Sequence, residues 1–88
     1  MPKSDRFISE ERLDKLAGFV KEYRCPDCKS WALYVKAHRG ERLVLCRKCA
    51  FRMELSEFAH KHMGYRTEGD TATVEVPDFL GAVRTVEL

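Results

Sequence analysis

Cys25-Pro26-Asp27-Cys28 and Cys46-Arg47-Lys48-Cys49 decide the reading of this 88-residue chain, which has no other cysteine. Residues 29–45, seventeen positions, separate the two pairs. Two C-x2-C pairs at this separation are the ligand pattern of a tetrahedral zinc site. A C-x2-C pair on a tight turn presents two sulfurs to one ion, and the amides of the turn stabilise the thiolates. Two such turns joined by a hairpin close a four-sulfur tetrahedron. Two unrelated thiol pairs, or two disulfides, are the alternative.

The residues between the pairs have the length and pattern of that hairpin. Trp31, Leu33 and Val35 alternate with Ala32, Tyr34 and Lys36, a strand period. His38-Arg39-Gly40-Glu41 reads as the turn, with Gly40 supplying the positive φ, and residues 42–45 as the return strand. Phe51, Met53 and Leu55 alternate with Arg52 and Glu54 as a third strand. Upstream, Ser9 is an N-cap followed by Glu10 and Glu11, with Ile8 and Leu13 at the spacing of a hydrophobic staple. Leu13, Leu16, Ala17 and Val20 keep helical spacing, which predicts a helix over residues 10–23. Residues 1–7 read as a mobile end. Downstream, Ser56 is the expected cap of a short helix through Met63, ended by Gly64, with Leu55, Phe58, Ala59 and His62 on its apolar stripe. Ala72, Val74 and Val76 mark one face of a strand over residues 71–76, broken by Pro77-Asp78. Residues 79–88 fit a short helix and an extended segment equally well.

The order of these elements is the basis of a resemblance. The first pair, a strand, Arg39-Gly40-Glu41, then Leu43-Val44-Leu45 running into the second pair and an apolar strand resemble a zinc ribbon. The similarity covers about residues 23–55. It is greatest to the ribbon of general transcription initiation factor B and to RNA polymerase-associated ribbons. The family places glycine after the second cysteine of each pair, where the turn is left-handed. This chain has Lys29 and Ala50 there, so strain is expected at Ala50. Ribbons that stimulate transcript cleavage carry an acidic pair at the hairpin tip. The tip here is His38-Arg39-Gly40-Glu41, so that activity is not implied.

The expectation is a small α+β protein. It has an N-terminal helical segment (1–24), a zinc ribbon with a three-stranded antiparallel sheet (25–55), and a short helix with an acidic C-terminal strand (56–88), packed as one domain. One structural Zn2+ on Cys25, Cys28, Cys46 and Cys49 supplies the staple that so short a chain needs. Four cysteines also suit a single iron; zinc is preferred on site frequency.

Charge is segregated. Residues 25–54 carry seven Lys/Arg and three acids, and residues 67–88 five acids and one base. Trp31, Tyr34, Lys36, Arg39, Arg42, Arg47, Lys48 and Arg52 are therefore the candidate nucleic-acid or partner-binding residues, joining cations for phosphate to aromatic faces for bases. Trp31 and Tyr34 point to opposite faces of the strand, so one binding surface takes at most one of them. The resemblance implies a non-enzymatic module bound to nucleic acid, a polymerase or a ribosome in transcription or translation. The alternative is a protein adaptor or dimerising regulator, contacting its partner through the N-terminal helix and the C-terminal strand. A thiol oxidoreductase fits less well, because the redox C-x-x-C motif follows a strand and opens a helix, whereas here a helix precedes Cys25 and a strand follows Cys28. Two histidines at i and i+2, His60 and His62, do not face each other on a helix and make no second metal site. The polar start and the lack of a long apolar run give no secretion signal and no membrane span, so an intracellular, cytoplasmic protein with reduced thiols is expected. The acidic tail is open to two arrangements: a strand added to the basic ribbon, where it would compete with nucleic acid, or a strand offered to a partner.

Overall fold

The computed structural model describes residues 8–78 and 80–88. The mobile end expected over residues 1–7 lies outside them. Helix α1 (Glu10–Phe19) starts where the sequence placed it. The Ser9 side chain accepts the Arg12 amide, and Ile8 is buried. The helix stops earlier than the apolar spacing suggested. Val20–Glu22 tightens into a 3₁₀ turn, and Tyr23 is already extended, which aims the chain at the first cysteine.

Strands β1 (Leu33–His38), β2 (Glu41–Cys46) and β3 (Arg52–Glu54) form an antiparallel sheet in the order β1-β2-β3. The hairpin pairs His38 with Glu41, leaving Arg39 and Gly40 as a two-residue loop. Both have positive φ, 51° and 80°, the requirement of a type I′ turn, whose twist matches the strands it joins. Helix α2 (Leu55–His62) then begins one residue before the expected cap. Glu54 is extended at the N-cap, and Ser56 lies inside the first turn with its hydroxyl donating to the Glu54 carboxylate. Gly64, at φ 64°, ends the helix as expected. A Cβ there would sit 3.0 Å from Glu75 Oε1, so that exposed side chain would have to shift slightly, and the positive φ is what calls for glycine.

The C-terminal part departs most from the expectation. Three strands stand where one was read: β4 (Arg66–Glu68), β5 (Thr71–Pro77) and β6 (Val83–Glu87), paired as a second antiparallel sheet, β4-β5-β6. The tail is not a strand added to the first sheet. Both edges of β5 are taken by strands close in sequence, through a Gly69-Asp70 turn and a loop after Pro77.

Ala72, Val74 and Val76 of β5 are fully buried with Leu16, Val20, Leu55, Phe58, Met63 and Val44, so both sheets and both helices share one core cluster. Phe58 lies at its centre, edge-on to Tyr23 and Phe51, each at 6.1 Å. The Tyr23 hydroxyl donates to the Glu75 carbonyl at 2.5 Å, and the Glu75 amide donates to the Met63 carbonyl at 2.8 Å. The second sheet thus holds the residue two before Cys25. No helix among the described residues is long and apolar enough to cross a membrane.

Candidate metal centre

The chain reaches Cys25 extended from Tyr23 and turns at once. The Cys25 amide donates to the Ser30 carbonyl and the Lys29 amide to the Cys25 carbonyl, both at 2.9 Å. This closed loop turns the Cys28 amide toward Cys25 Sγ, at 3.5 Å. Closing it requires a left-handed residue, and that residue is Lys29, at φ 64°. The strain expected at Ala50 is therefore corrected: Ala50 is not left-handed, and Lys29 bears the conformation that glycine would take more cheaply. The second loop hangs from the end of β2. There the Arg47 amide donates to the Ala32 carbonyl at 3.0 Å, and the Lys48 amide points at Cys46 Sγ at 3.3 Å.

The two loops meet. Cys25 Sγ lies 3.5 Å from Cys49 Sγ and Cys28 Sγ 3.6 Å from Cys46 Sγ; all four sulfurs lie within 4.8 Å of one another. A zinc–thiolate bond of about 2.3 Å implies sulfurs about 3.8 Å apart around a tetrahedron, so the set has the right size for such an ion. No disulfide joins any two of the four cysteines, and a shared ion fits their arrangement better than two disulfides. Cys25 and Cys46 are buried, Cys49 is half-buried and Cys28 is exposed, so one corner of the cluster faces solvent.

The electrostatics of the cluster fit the same use. Burial opposes charge on Cys46, but the Lys48 amide, the Ser30 hydroxyl and Cys28 outweigh it and bring the thiol down to about 6. Hydrogen bonds from the Ser30 hydroxyl and amide also lower Cys28. At Cys49 the Phe51 amide favours the thiolate, yet burial and the neighbouring cysteines prevail and push the thiol up to about 12. Close sulfurs do not all ionise against one another; a divalent cation among them removes that conflict. Ser30 is the residue that the sequence reading missed. Its hydroxyl lies 3.0 Å from Cys28 Sγ and 3.7 Å from Cys46 Sγ, bridging the two loops. The available signal was a hydroxyl two positions after a ligand.

The candidate binding residues divide by face. The register sets Tyr34, Leu45 and Arg52 in one row across the outer face of the first sheet, Lys36, Leu43 and Glu54 in the next, and His38 with Glu41 at the tip. The Arg47 guanidinium lies 4.3 Å from the centroid of the Tyr34 ring. Tyr34, Lys36, Arg47 and Arg52 are thus brought together. Lys48 is exposed on the second loop, and Arg39 is exposed on the hairpin turn at the opposite end of the sheet. Arg42 is on the inner side, bound to Asp14 at 2.7 Å with Glu10 at 3.9 Å, where it joins β2 to α1. Trp31 precedes β1, 58 % exposed, with the Arg24 guanidinium 5.0 Å from its ring centroid.

No protein-family model, curated protein or solved structure matches this chain. The resemblance to zinc ribbons therefore rests on the residues quoted for it.

Proposed function

We propose that this is a non-enzymatic binding module of the zinc-ribbon kind. In this reading Cys25, Cys28, Cys46 and Cys49 hold one structural zinc ion, and the first sheet docks on nucleic acid or a nucleoprotein assembly of the transcription or translation apparatus. The observation that carries it is the closed four-sulfur cluster at the end of the first sheet, next to the group formed by Tyr34, Arg47 and Arg52. Four protein donors fill a tetrahedron and leave no position for a catalytic water. The ion would fix the two loops, and the loops fix where Arg47, Tyr34 and Arg52 stand. Metal analysis of the purified protein tests the first half: one zinc per chain is expected, and iron, or no metal, refutes it. Titration with RNA and DNA at low and moderate salt tests the second half, since phosphate contacts release counterions and weaken as salt rises. Absence of any salt-dependent binding refutes the nucleic-acid reading.

A second reading, a protein adaptor, is favoured by one specific feature. Leu80 is 79 % and Val83 60 % exposed beside β6, an edge strand of the second sheet. Sedimentation and a pull-down test it, and a monomer that retains no partner counts against it. A dithiol oxidoreductase would show reactive thiols in the zinc-loaded protein; thiols that react only after chelation remove that reading.

A further inference from the structure

The outer face of the first sheet is graded along its length. At the loop end, the row Tyr34–Leu45–Arg52 carries a cation and no acid, and Arg47 lies over the tyrosine. The middle row balances Lys36 against Glu54, and the tip row sets Glu41 beside His38. Leu43 and Leu45 are half-buried on this outer side, whereas the inner residues Leu33 and Val44 are in the core. The loop end therefore sets the Tyr34 ring and Leu45 beside two guanidinium groups, with Lys36 and Leu43 in the next row. The Arg47 guanidinium carbon already lies over the Tyr34 ring, 4.3 Å from its centroid.

We propose, building on the nucleic-acid reading above, that this patch takes single-stranded nucleic acid rather than duplex, with one base stacked in the Arg47–Tyr34 element and flanking phosphates on Lys36 and Arg52. The chemistry of the patch selects this occupant. A duplex offers phosphates but no free base faces, so it would use the cations and leave Tyr34, Leu43 and Leu45 without a partner. An unpaired base offers a flat apolar surface that stacks on an aromatic ring or a guanidinium plane, and its own phosphates reach the adjoining cations. An acidic protein would also use the cations, and its carboxylates would take the Arg47 fork bidentately, but it would bring no planar face to the Tyr34 ring. Loss in Tyr34→Leu with retention in Tyr34→Trp therefore separates a stacked base from a carboxylate, and Arg47→Lys removes the guanidinium plane at constant charge.

Fluorescence anisotropy with a labelled oligopyrimidine, free and annealed to its complement at the same salt, tests the proposal. The single strand is expected to bind at least about tenfold tighter than the duplex. A stacked base is worth about one factor of ten or more, so Arg47→Lys should lose close to what Arg47→Ala loses, about tenfold. Tyr34→Leu should lose a similar factor and Tyr34→Trp should retain affinity, while Lys61→Ala, an equal charge change on α2, should stay within about twofold. Zinc stoichiometry and circular dichroism of each variant establish that it is folded. Duplex binding equal to single-strand binding, or full affinity in Arg47→Lys, overturns the stacking assignment and leaves the nucleic-acid reading standing. Loss of all salt-dependent binding in the zinc-loaded wild type overturns both.

Discussion

Replacing Lys29 by glycine should make this protein more stable, even though lysine is the natural residue. Lys29 sits at φ 64° because its amide must return to the Cys25 carbonyl at 2.9 Å to close the first loop. A side chain in that region costs about 1–2 kcal/mol, from the approach of Cβ to the following carbonyl oxygen. Glycine removes that term but adds about 0.5–1 kcal/mol of backbone entropy lost on folding. The lysine Nζ also donates to the Pro26 carbonyl at 3.2 Å, an exposed contact that subtracts little. The net expectation for Lys29→Gly is a gain of about 0.5–1 kcal/mol, or roughly 2–8 °C in Tm for a domain of this size. Ala50→Gly is the internal control. Ala50 is not left-handed, so glycine brings only the entropy term and should lower Tm by a comparable amount. The assay is thermal unfolding followed by circular dichroism at one fixed excess of free zinc, because bound metal itself shifts the midpoint. A neutral or destabilising Lys29→Gly at full zinc loading refutes the assignment of strain to position 29. A stabilising Ala50→Gly would return the strain to the second loop.

Three further outcomes follow from the same geometry. Chelation should abolish the folded near-ultraviolet signal of the tyrosines and Trp31, since metal binding free energy in such sites is of the same order as the stability of a small domain; an unchanged spectrum in metal-free protein refutes a structural role. Ser30→Ala removes the hydroxyl shared by Cys28 and Cys46 and should speed zinc transfer to a competing chelator by about tenfold, within the usual effect of outer-shell partners; an unchanged rate shows that the hydroxyl does not act on the thiolates. Tyr23 is raised to about 12 by burial and then by the Glu75 and Glu22 carboxylates. A folded pKa above the unfolded value of about 10 means stability that is complete below pH 10 and lost as pH rises toward 12, so alkaline unfolding should track Tyr23 ionisation in ultraviolet titration and this component should vanish in Tyr23→Phe.

The first sheet was legible because it has one wet and one dry face. That arrangement imposes a two-residue period on residues 31–36, and the cysteine spacing bounds the hairpin at both ends. The second sheet was hidden for physical reasons that differ from strand to strand. All three residues of β4 are exposed, so nothing alternates. In β6 only Val86 reaches the core, leaving too short a pattern to read. Pro77-Asp78 read as a break, yet Pro77 ends β5 opposite Val83. The Asp78 carboxylate then accepts the Leu80 and Ala82 amides, at 2.8 and 2.9 Å, and so builds the loop that returns the chain. Leu55 misled in another way, since it continues both the strand alternation and the helical stripe; its full burial fits either, and the structure makes it the first helical residue. In the site, the four cysteines that cluster were legible from spacing alone. Which loop bears the left-handed residue was not, because it depends on how each loop closes.

The hidden sheet changes the functional argument. An acidic tail after a basic hairpin suggested a strand folded over the cations, a built-in competitor for nucleic acid. In the structure β5 satisfies both of its edges with β4 and β6, and its apolar face is committed to the common core. The strand read from the sequence, β5, thus has neither a free edge nor a free apolar face with which to cover the first sheet. Lys36, Arg47, Lys48 and Arg52 accordingly remain exposed. What the tail does instead is hold the segment leading into the first cysteine loop, through the Tyr23 hydroxyl on the Glu75 carbonyl, and helix α1, through the Arg12 guanidinium on the Asp70 carbonyl. Its acids therefore act on the basic residues only across distance, where salt screens them, while its backbone acts by direct contact on the residue two before Cys25. Neutralising tail acids should change affinity for a charged partner modestly and at low salt only, whereas disturbing β5 should loosen the cysteine cluster itself.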